Sequence, residues 1–173
     1  MNNIFLKIDG VKGESKNSLY PGWIDVEAYA WGTKRNGGGS GTGVANYHNL
    51  SVHCVVDKAT ASALLFSSNG KNVKTVELSA CKASDGQMEF YRITLENAII
   101  MEVILRDSGT TTDVEYEFQA DKVKFQHWGQ DAIGGKGAET RMGWDGILKT
   151  QPHIFKPARM MKHGDRCYRT SEI

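Results

Sequence analysis

Apolar and polar residues alternate along most of this chain, and the alternation changes period at one place. Residues 50–56 follow period two, which is typical of a strand with one buried face. Asp57 ends the alternation as a good N-cap, and helix-forming alanines and leucines follow up to Asn69-Gly70. This pattern predicts one α-helix at about residues 57–68. The stripe expected to pack on a sheet consists of Ala61, Leu64, Leu65 and Ser68.

Period-two segments recur on both sides of this helix. Strands are predicted at residues 4–8, 23–31, 50–56, 73–81, 89–97, 110–120, 121–128 and 142–148, and the almost continuous apolar run at 98–105 is compatible with a further strand that is buried on both faces. In the segment 110–120, Val114, Tyr116, Phe118 and Ala120 should face inward, and Asp113, Glu115, Glu117 and Gln119 outward. Such a run of short strands with one helix predicts a mainly β fold, a tight antiparallel β-barrel of two packed sheets with one flanking helix.

The segment 23–31 carries an unusual mixture on one face. Ile24, Val26, Ala28 and Ala30 should face one way, and Trp23, Asp25, Glu27, Tyr29 and Trp31 the other. Because acids and large aromatic side chains share the second face, Trp23, Tyr29 and Trp31 are candidates for a surface that another subunit covers. A solvated strand with cross-strand aromatic contacts explains the same pattern equally well.

Two segments rich in glycine interrupt the strands. Residues 32–46 contain six glycines and are predicted to form a long structureless loop, which is either functional or disordered in a compact domain. This segment matches neither the dinucleotide-binding nor the P-loop glycine pattern, so no nucleotide site is predicted. Residues 132–138 contain three glycines and are predicted to form a second flexible loop.

Composition limits the possible classes of protein. The chain has 173 residues, of which 40% are hydrophobic, and a formal net charge of +1. These values predict one soluble domain with no nucleic-acid partner and no membrane insertion. The amino-terminal residues lack the basic and apolar regions of a signal peptide. Cys54, Cys81 and Cys167 are odd in number and widely spaced, so they are interpreted as reduced thiols.

The chemistry-bearing residues form no motif for catalysis or metal binding. The five histidines include no His-Glu-x-x-His pattern, and only His53-Cys54 lie next to each other. Ser67 and Ser68 have no base partner in a sequence motif. Asp113, Glu115 and Glu117 could act as paired carboxylates, but a stripe of solvated acids is the simpler interpretation. We therefore predict no catalytic residue, no metal and no cofactor.

Five blocks of the sequence, in this order, resemble a known family. They are FLKIDGVKGES at residues 5–15, IDV at 24–26 leading to Trp31-Gly32, VDKA at 56–59, EFYRITLENA at 89–98 and GWD at 143–145. In this order and spacing they are similar to the successive blocks of the Hcp family, the haemolysin-coregulated tube proteins of bacterial type VI secretion. The resemblance covers about residues 4–149.

The resemblance implies a tight barrel with a flanking helix and a structural role. It implies a homohexamer whose rings stack into a hollow tube, with a spike protein at its tip, a contractile sheath around it and small effector proteins as cargo. The protein would be cytoplasmic before firing and then secreted without a signal peptide. Residues 150–173 do not follow the family pattern and are interpreted as an extension of unknown role.

Candidate residues follow from this resemblance together with the patterns above. The candidates for subunit contacts remain Trp23, Tyr29 and Trp31. The glycine-rich loop would contribute to ring stacking through Arg35, Asn36, Gly38, Gly41 and Gly43. The candidates for the lumen are Glu115, Glu117 and Gln119. Two other functions stay open at this point: a tail-tube protein of a phage-like particle, and a small secreted β-barrel effector enzyme.

Overall fold

The computed structural model describes residues 2–35, 45–82 and 87–147. Within these residues there are nine strands and one helix. They are β1 Asn2–Ile8, β2 Ile24–Ala30, β3 Thr33–Arg35, β4 Ala45–Tyr47, β5 Leu50–Val55, α1 Lys58–Asn69, β6 Asn72–Lys82, β7 Glu89–Asp107, β8 Thr112–Gln130 and β9 Lys136–Asp145. The predicted extension at residues 150–173 lies outside the described residues.

Six of the strands form a closed antiparallel barrel. They are hydrogen-bonded in the order β5-β2-β1-β6-β7-β8, and β8 pairs back with β5. The closing contact runs from Leu50 opposite Phe118 to Val55 opposite Asp113. β9 pairs with the second half of β8, at residues 122–130, outside this closed ring. The predicted mainly β barrel with one helix is therefore confirmed.

The barrel interior is filled by the inward face of each alternating strand. Leu50, Val52 and Cys54 of β5 are almost fully buried, as their alternation predicts. Burial of such side chains stabilises the fold by roughly 1.5–3 kcal/mol for each large one. The largest fully buried side chains are Tyr116, Phe118, Leu6, Ile8, Ile24, Leu50, Leu78, Ile93, Leu95, Ile100, Val52 and Val73.

Helix α1 begins and ends as the sequence predicts, but it buries a different side. Asp57 accepts a hydrogen bond from the Ala59 N–H, and Gly70 ends the helix in the left-handed conformation at φ 65°. The predicted apolar stripe is wrong, because all four of its residues, Ala61, Leu64, Leu65 and Ser68, are exposed. The buried side consists of Ala59, Thr60, Ala63 and Phe66. Its small residues let the helix backbone approach the barrel closely.

A β-bulge in β2 reverses the predicted faces of its second half. Val26 lies opposite Cys54 of β5, whereas Ala28 lies opposite His53, so one extra residue is inserted between them. Tyr29 consequently lies opposite the buried Val52. The prediction that Tyr29 and Trp31 face outward is wrong: both pack against the hydrophobic core, while Ala28 and Ala30 are exposed.

Both glycine-rich segments contain more structure than the sequence predicts. In residues 32–46, β3 and β4 pair antiparallel, with Thr33 opposite Tyr47 and Arg35 opposite Ala45. The loop predicted at 132–138 ends early, because β9 already begins at Lys136. The last strand predicted at 142–148 ends at Asp145.

Candidate functional site

Acidic side chains line the outer face of the barrel where β5, β8 and β7 run side by side. Glu115 Oε1 accepts from the Ser51 hydroxyl at 2.8 Å, and Glu115 Oε2 accepts from Arg106 Nη1 at 2.6 Å. His53 Nε2 lies 3.6 Å from Glu115 Oε1. The hydrogen bond from Arg106, followed by that from Ser51, holds the pKa of Glu115 below its ordinary value. Glu115 therefore stays ionised at neutral pH.

Two further carboxylates of this face lie opposite each other. Glu117 of β8 is paired in register with Glu102 of β7, and its Oε1 accepts from Asn49 Nδ2 at 2.6 Å. Like charges directly opposite on neighbouring strands repel each other. The row made of Glu102, Glu115 and Glu117, called the acidic row below, is therefore suited to a cationic partner. The sequence prediction missed Glu102 because a bulge between Ile100 and Glu102 shifts its register.

A second polar network lies near the beginning of β7. Glu89 Oε1 accepts from Arg92 Nε at 2.7 Å and from the Ser79 hydroxyl at 2.8 Å, and Glu89 Oε2 accepts from Lys136 at 3.1 Å. Arg92 also bonds Glu77 at 3.1 Å. Burial raises the pKa of Glu89, but the hydrogen bonds from Arg92 and Ser79 outweigh it, so the pKa is lowered. This network joins β6, β7 and β9.

The end of the barrel beside β4 contains a cavity of about 300 Å³. Trp31, Tyr47 and Trp144 supply much of its apolar wall, with the Trp31 and Tyr47 rings stacked at 5.7 Å between centroids. Ile147, at the end of the described residues, also lines it. Trp31, Tyr47 and Asn49 continue into an adjoining open groove that reaches Glu117 of the acidic row. The sequence carried no signal for this cavity, since its residues come from five separate segments.

Among the strand edges that have no pairing partner in the described residues, two belong to the larger sheet, at β9 and at the second half of β7. β9 pairs only with β8. The second half of β7, at residues 100–107, also pairs only with β8, because the ladder with β6 ends at Ile99. Met101 and Leu105 on this edge are exposed large apolar residues. An unpaired edge presents backbone N–H and C=O groups to another chain.

The candidate residues fall into different surroundings. Glu115 and Glu117 lie on the outer face as predicted, and Gln119 is exposed beyond them. Trp23 lies with Phe5, Tyr20 and Cys81 in a small cluster separate from the barrel core, apart from Tyr29 and Trp31. Arg35 is exposed at the end of β3. The other loop candidates, Asn36, Gly38, Gly41 and Gly43, lie outside the described residues.

The titratable groups of the described residues do not gather into a metal site. Within the ranges 2–35, 45–82 and 87–147, no group of three His, Cys, Asp or Glu side chains could hold an ion. The two cysteines in these ranges, Cys54 and Cys81, are free and buried, and burial raises the pKa of the Cys54 thiol. In the same part of the chain, no helix has the length and apolar character needed to cross a bilayer.

These features define the chain as a small antiparallel barrel protein with a charged outer wall, a half-open aromatic cavity and two unpaired strand edges. The sequence model of the family described as "Type VI secretion system effector, Hcp" matches residues 5–127. The chain is 34% identical over 154 residues to Protein hcp1 of Pseudomonas aeruginosa, a match covering 83% of this chain and 94% of that relative. The chain therefore belongs to the Hcp family of type VI secretion proteins.

Solved structures agree in fold. A structure described as a type six secretion system protein superposes with a TM-score of 0.81 at 22% identity, covering 88% of this chain and all of the other. Hcp1 from Salmonella typhimurium gives a TM-score of 0.72 at 23% identity, covering 87% of this chain and 99% of the other. At these identities the likeness concerns the fold.

Proposed function

We propose that this protein is a structural tube subunit of a bacterial type VI secretion system. It forms hexameric rings, and the rings stack into a hollow tube that is secreted and can carry small effector proteins. The observation that carries this proposal is the closed barrel with its single helix, in a chain that belongs to the Hcp family over most of its length. A wall subunit needs a rigid, closed body, and a barrel closed by β5–β8 pairing supplies one.

The two unpaired strand edges support the ring. A closed cyclic ring repeats one heterologous contact, so each subunit needs two different complementary surfaces. The edge of β9 and the edge of β7 at residues 100–107 are two such surfaces on one barrel. In the proposed ring they lie against neighbouring subunits, and Met101 and Leu105 become buried there. The proposed subunit contact therefore uses these edges instead of the sequence candidates Trp23, Tyr29 and Trp31.

The acidic outer face supports a wall that lines a lumen. Glu115, Glu117 and Gln119 would face the channel, together with Glu102. Glu115 is already bonded within the subunit to Ser51 and Arg106, and Glu117 is bonded to Asn49. Cargo would contact the exposed polar groups of this face, and salt screens such interactions. Cargo would therefore bind weakly and reversibly.

The remaining partners follow from membership in the family. The paired strands β3 and β4 end at Arg35 and begin at Ala45, and residues 36–44 connect them in the sequence. We assign those residues to ring stacking, with the spike protein and the contractile sheath as further partners. The subunit would be cytoplasmic before firing and extracellular afterwards. It would act as a conduit and catalyse no reaction.

Light scattering and negative-stain imaging of the purified protein test the ring. The full chain should give hexamers at micromolar concentration, and Met101→Lys with Leu105→Lys should release monomers. Leu19→Lys is the matched control, because Leu19 is a similarly exposed apolar residue in the segment between β1 and β2 and belongs to neither of these edges. A purely monomeric full chain would overturn the proposal, and hexamers that survive the edge substitutions would overturn the assigned contact.

Secretion and cargo assays test the tube. Deleting residues 37–43 should leave rings intact and abolish secretion, since the stacking loop would be lost. Gln119→Trp should reduce retention of cargo without changing ring formation, because it narrows the lumen at an exposed position. Normal secretion by the deletion variant contradicts the stacking role. Unchanged retention by Gln119→Trp contradicts the assignment of this face to the lumen.

A further inference from the structure

The turn between β8 and β9 presents one large apolar side chain to solvent. Ile133 in this turn is 93% exposed, more than any other large apolar residue in the described part of the chain. The turn is nevertheless fixed around Asp131, whose Oδ1 accepts from the Ile133 N–H at 3.1 Å and from the Gly135 N–H at 2.6 Å. The Asp131 N–H donates to the Gly135 carbonyl at 3.0 Å, and Gly134 supplies the left-handed conformation at φ 88°. The backbone of Ile133 is therefore ordered before any contact forms, which lowers the entropic cost of burying its side chain.

The aromatic cavity beside β4 suits such a side chain. Its volume is about 300 Å³, whereas one water molecule needs only ~10–15 Å³ of such space. The wall includes Tyr47 and Trp144, whose ring centroids are 6.3 Å apart, together with Leu95 and Val123. An aliphatic side chain gains affinity in such a place because it displaces poorly ordered water from apolar walls.

The cavity of the same chain is out of reach of Ile133. β8 and β9 stay paired from Val123 opposite Trp144 to Gln130 opposite Lys136. The strand from Val123 to Gln130 extends over about 23 Å at roughly 3.3 Å per residue, and Ile133 lies in the turn beyond it. Since Val123 and Trp144 line the cavity, this ladder holds Ile133 away from it. The side chain can therefore enter the cavity only in a second copy of the chain.

Both surfaces lie next to the strand edges that are assigned to the ring. Ile133 precedes by three residues Lys136, where the unpaired strand β9 begins. The groove that adjoins the cavity reaches Glu117, and the register partner of Glu117 is Glu102 in the second half of β7. A projecting side chain and a cavity are different surfaces, so a contact between them is heterologous, as a closed ring requires.

We propose that Ile133 of one subunit inserts into the aromatic cavity of the neighbouring subunit in the ring, against Tyr47 and Trp144. This inference deepens the proposed ring and rests on it. The strand edges supply backbone groups that can pair in more than one register, and the inserted Ile133 selects one register. A single apolar side chain that fills a pocket is typical of an energetic hot spot in an interface.

Light scattering of the full chain over a dilution series measures the contribution of this contact. Ile133→Ser should raise the concentration at which half of the chains are assembled by about tenfold or more, because the burial of an aliphatic side chain is lost. Ala132→Ser is the matched control, since it creates the same residue at the neighbouring exposed position of the same turn. This control should assemble like the unchanged chain, and so should the conservative variant Ile133→Leu.

A bimane label attached at Ile133→Cys locates the contact, because tryptophan quenches bimane emission at short range. The background carries Cys167→Ser, which leaves only the two buried cysteines, and Trp128→Phe, which removes the tryptophan of β8. We expect the emission to fall as the protein concentration rises and rings assemble. Trp144→Phe in the same background should restore part of the emission while the rings persist.

The outcomes separate this contact from the ring itself. A full chain that is monomeric at every concentration would overturn the contact together with the proposed ring. Rings that Ile133→Ser leaves as stable as before would overturn the contact alone, and so would equal weakening by Ala132→Ser. Bimane emission that is independent of concentration, or that Trp144→Phe does not change in assembled rings, would place Ile133 outside the cavity and refute the proposal.

Discussion

A buried hydrogen bond between Thr60 and Tyr116 links helix α1 to the barrel, and Tyr116→Phe would remove it. Tyr116 is fully buried, and its hydroxyl lies 3.0 Å from Thr60 Oγ1. Burial raises the pKa of Tyr116 to about 12, so the group is a neutral hydroxyl at physiological pH. Thr60 Oγ1 also accepts from the Asp57 N–H at 3.4 Å, completing the capping box of the helix.

The expected magnitude follows from these contacts. Tyr116→Phe leaves the buried Thr60 hydroxyl without its tyrosine partner, and we expect a loss of about 1–2 kcal/mol in the free energy of unfolding. For a chain of this length, a loss of about 1.5 kcal/mol lowers Tm by about 3–6 °C. Thr60→Val removes the same bond and also part of the cap, so it should cost about 2–3 kcal/mol. The double variant should fall short of the sum by about 1 kcal/mol, because both single changes remove the same bond.

Urea denaturation followed by circular dichroism measures all four proteins. Protein concentration is held fixed, because assembly would add to the apparent stability. Tyr29→Phe combined with Thr60→Val is the control cycle, since the Tyr29 hydroxyl bonds Tyr91 at 2.6 Å and not Thr60. The control pair should be additive within about 0.5 kcal/mol. If Tyr116→Phe and Thr60→Val are also simply additive, the bond between helix and barrel makes no measurable contribution and the reasoning is refuted.

Three further changes have expected outcomes. Glu89→Gln should lower the urea midpoint at pH 7, and this deficit should shrink as pH falls below about 4.5. Because the pKa of Glu89 is lower in the folded state, its ionised carboxylate stabilises the fold at pH values above the pKa of glutamate in the unfolded chain. This stabilisation is lost as Glu89 is protonated. A difference in urea midpoint that stays constant down to pH 3 would contradict this reasoning. Gly13→Ala would place a Cβ 2.3 Å from the Trp23 carbonyl oxygen, so thermal denaturation should show a loss of about 1–3 kcal/mol in the free energy of unfolding. Gly32→Ala is the control and should be nearly neutral, because its added Cβ would meet nothing within 4 Å. Asp57→Ala should cost about 1 kcal/mol in urea denaturation through loss of the N-cap, and an unchanged midpoint would exclude that role.

The period of the hydrophobic pattern predicted the fold well wherever one strand face is buried and the other is solvated. In β8, Tyr116 and Phe118 are buried and Glu115 and Glu117 lie outside, as their alternation requires. The cap residues of α1 were also predictable, because Asp57 and Gly70 satisfy local backbone requirements. Local chemistry therefore determines these features, and they can be inferred without knowing what packs against them.

The features that were missed depend on contacts distant in sequence. The bulge that turns Tyr29 and Trp31 inward inserts one residue without a local signal, and only pairing with β5 reveals it. The side of α1 that is buried includes Thr60, which bonds Tyr116 of β8, and the helical period of the sequence does not reveal this contact. The acidic pair of Glu102 and Glu117 arises in the same way, from the register between β7 and β8. These residues of the candidate site required the tertiary structure.

The connectivity of the barrel also determines the order in which it can form. β7 and β8 are adjacent in the chain and pair from Asp107 opposite Thr112 to Tyr91 opposite His127, so this hairpin can zip up from its turn. Closure requires Leu50 to meet Phe118, across a much longer loop of chain. Contacts between distant residues form slowly, so we expect an open sheet to persist until β5 reaches β8. During that interval the inner faces and strand edges are exposed to aggregation, and the yield of folded subunits should fall as the concentration of newly made chains rises.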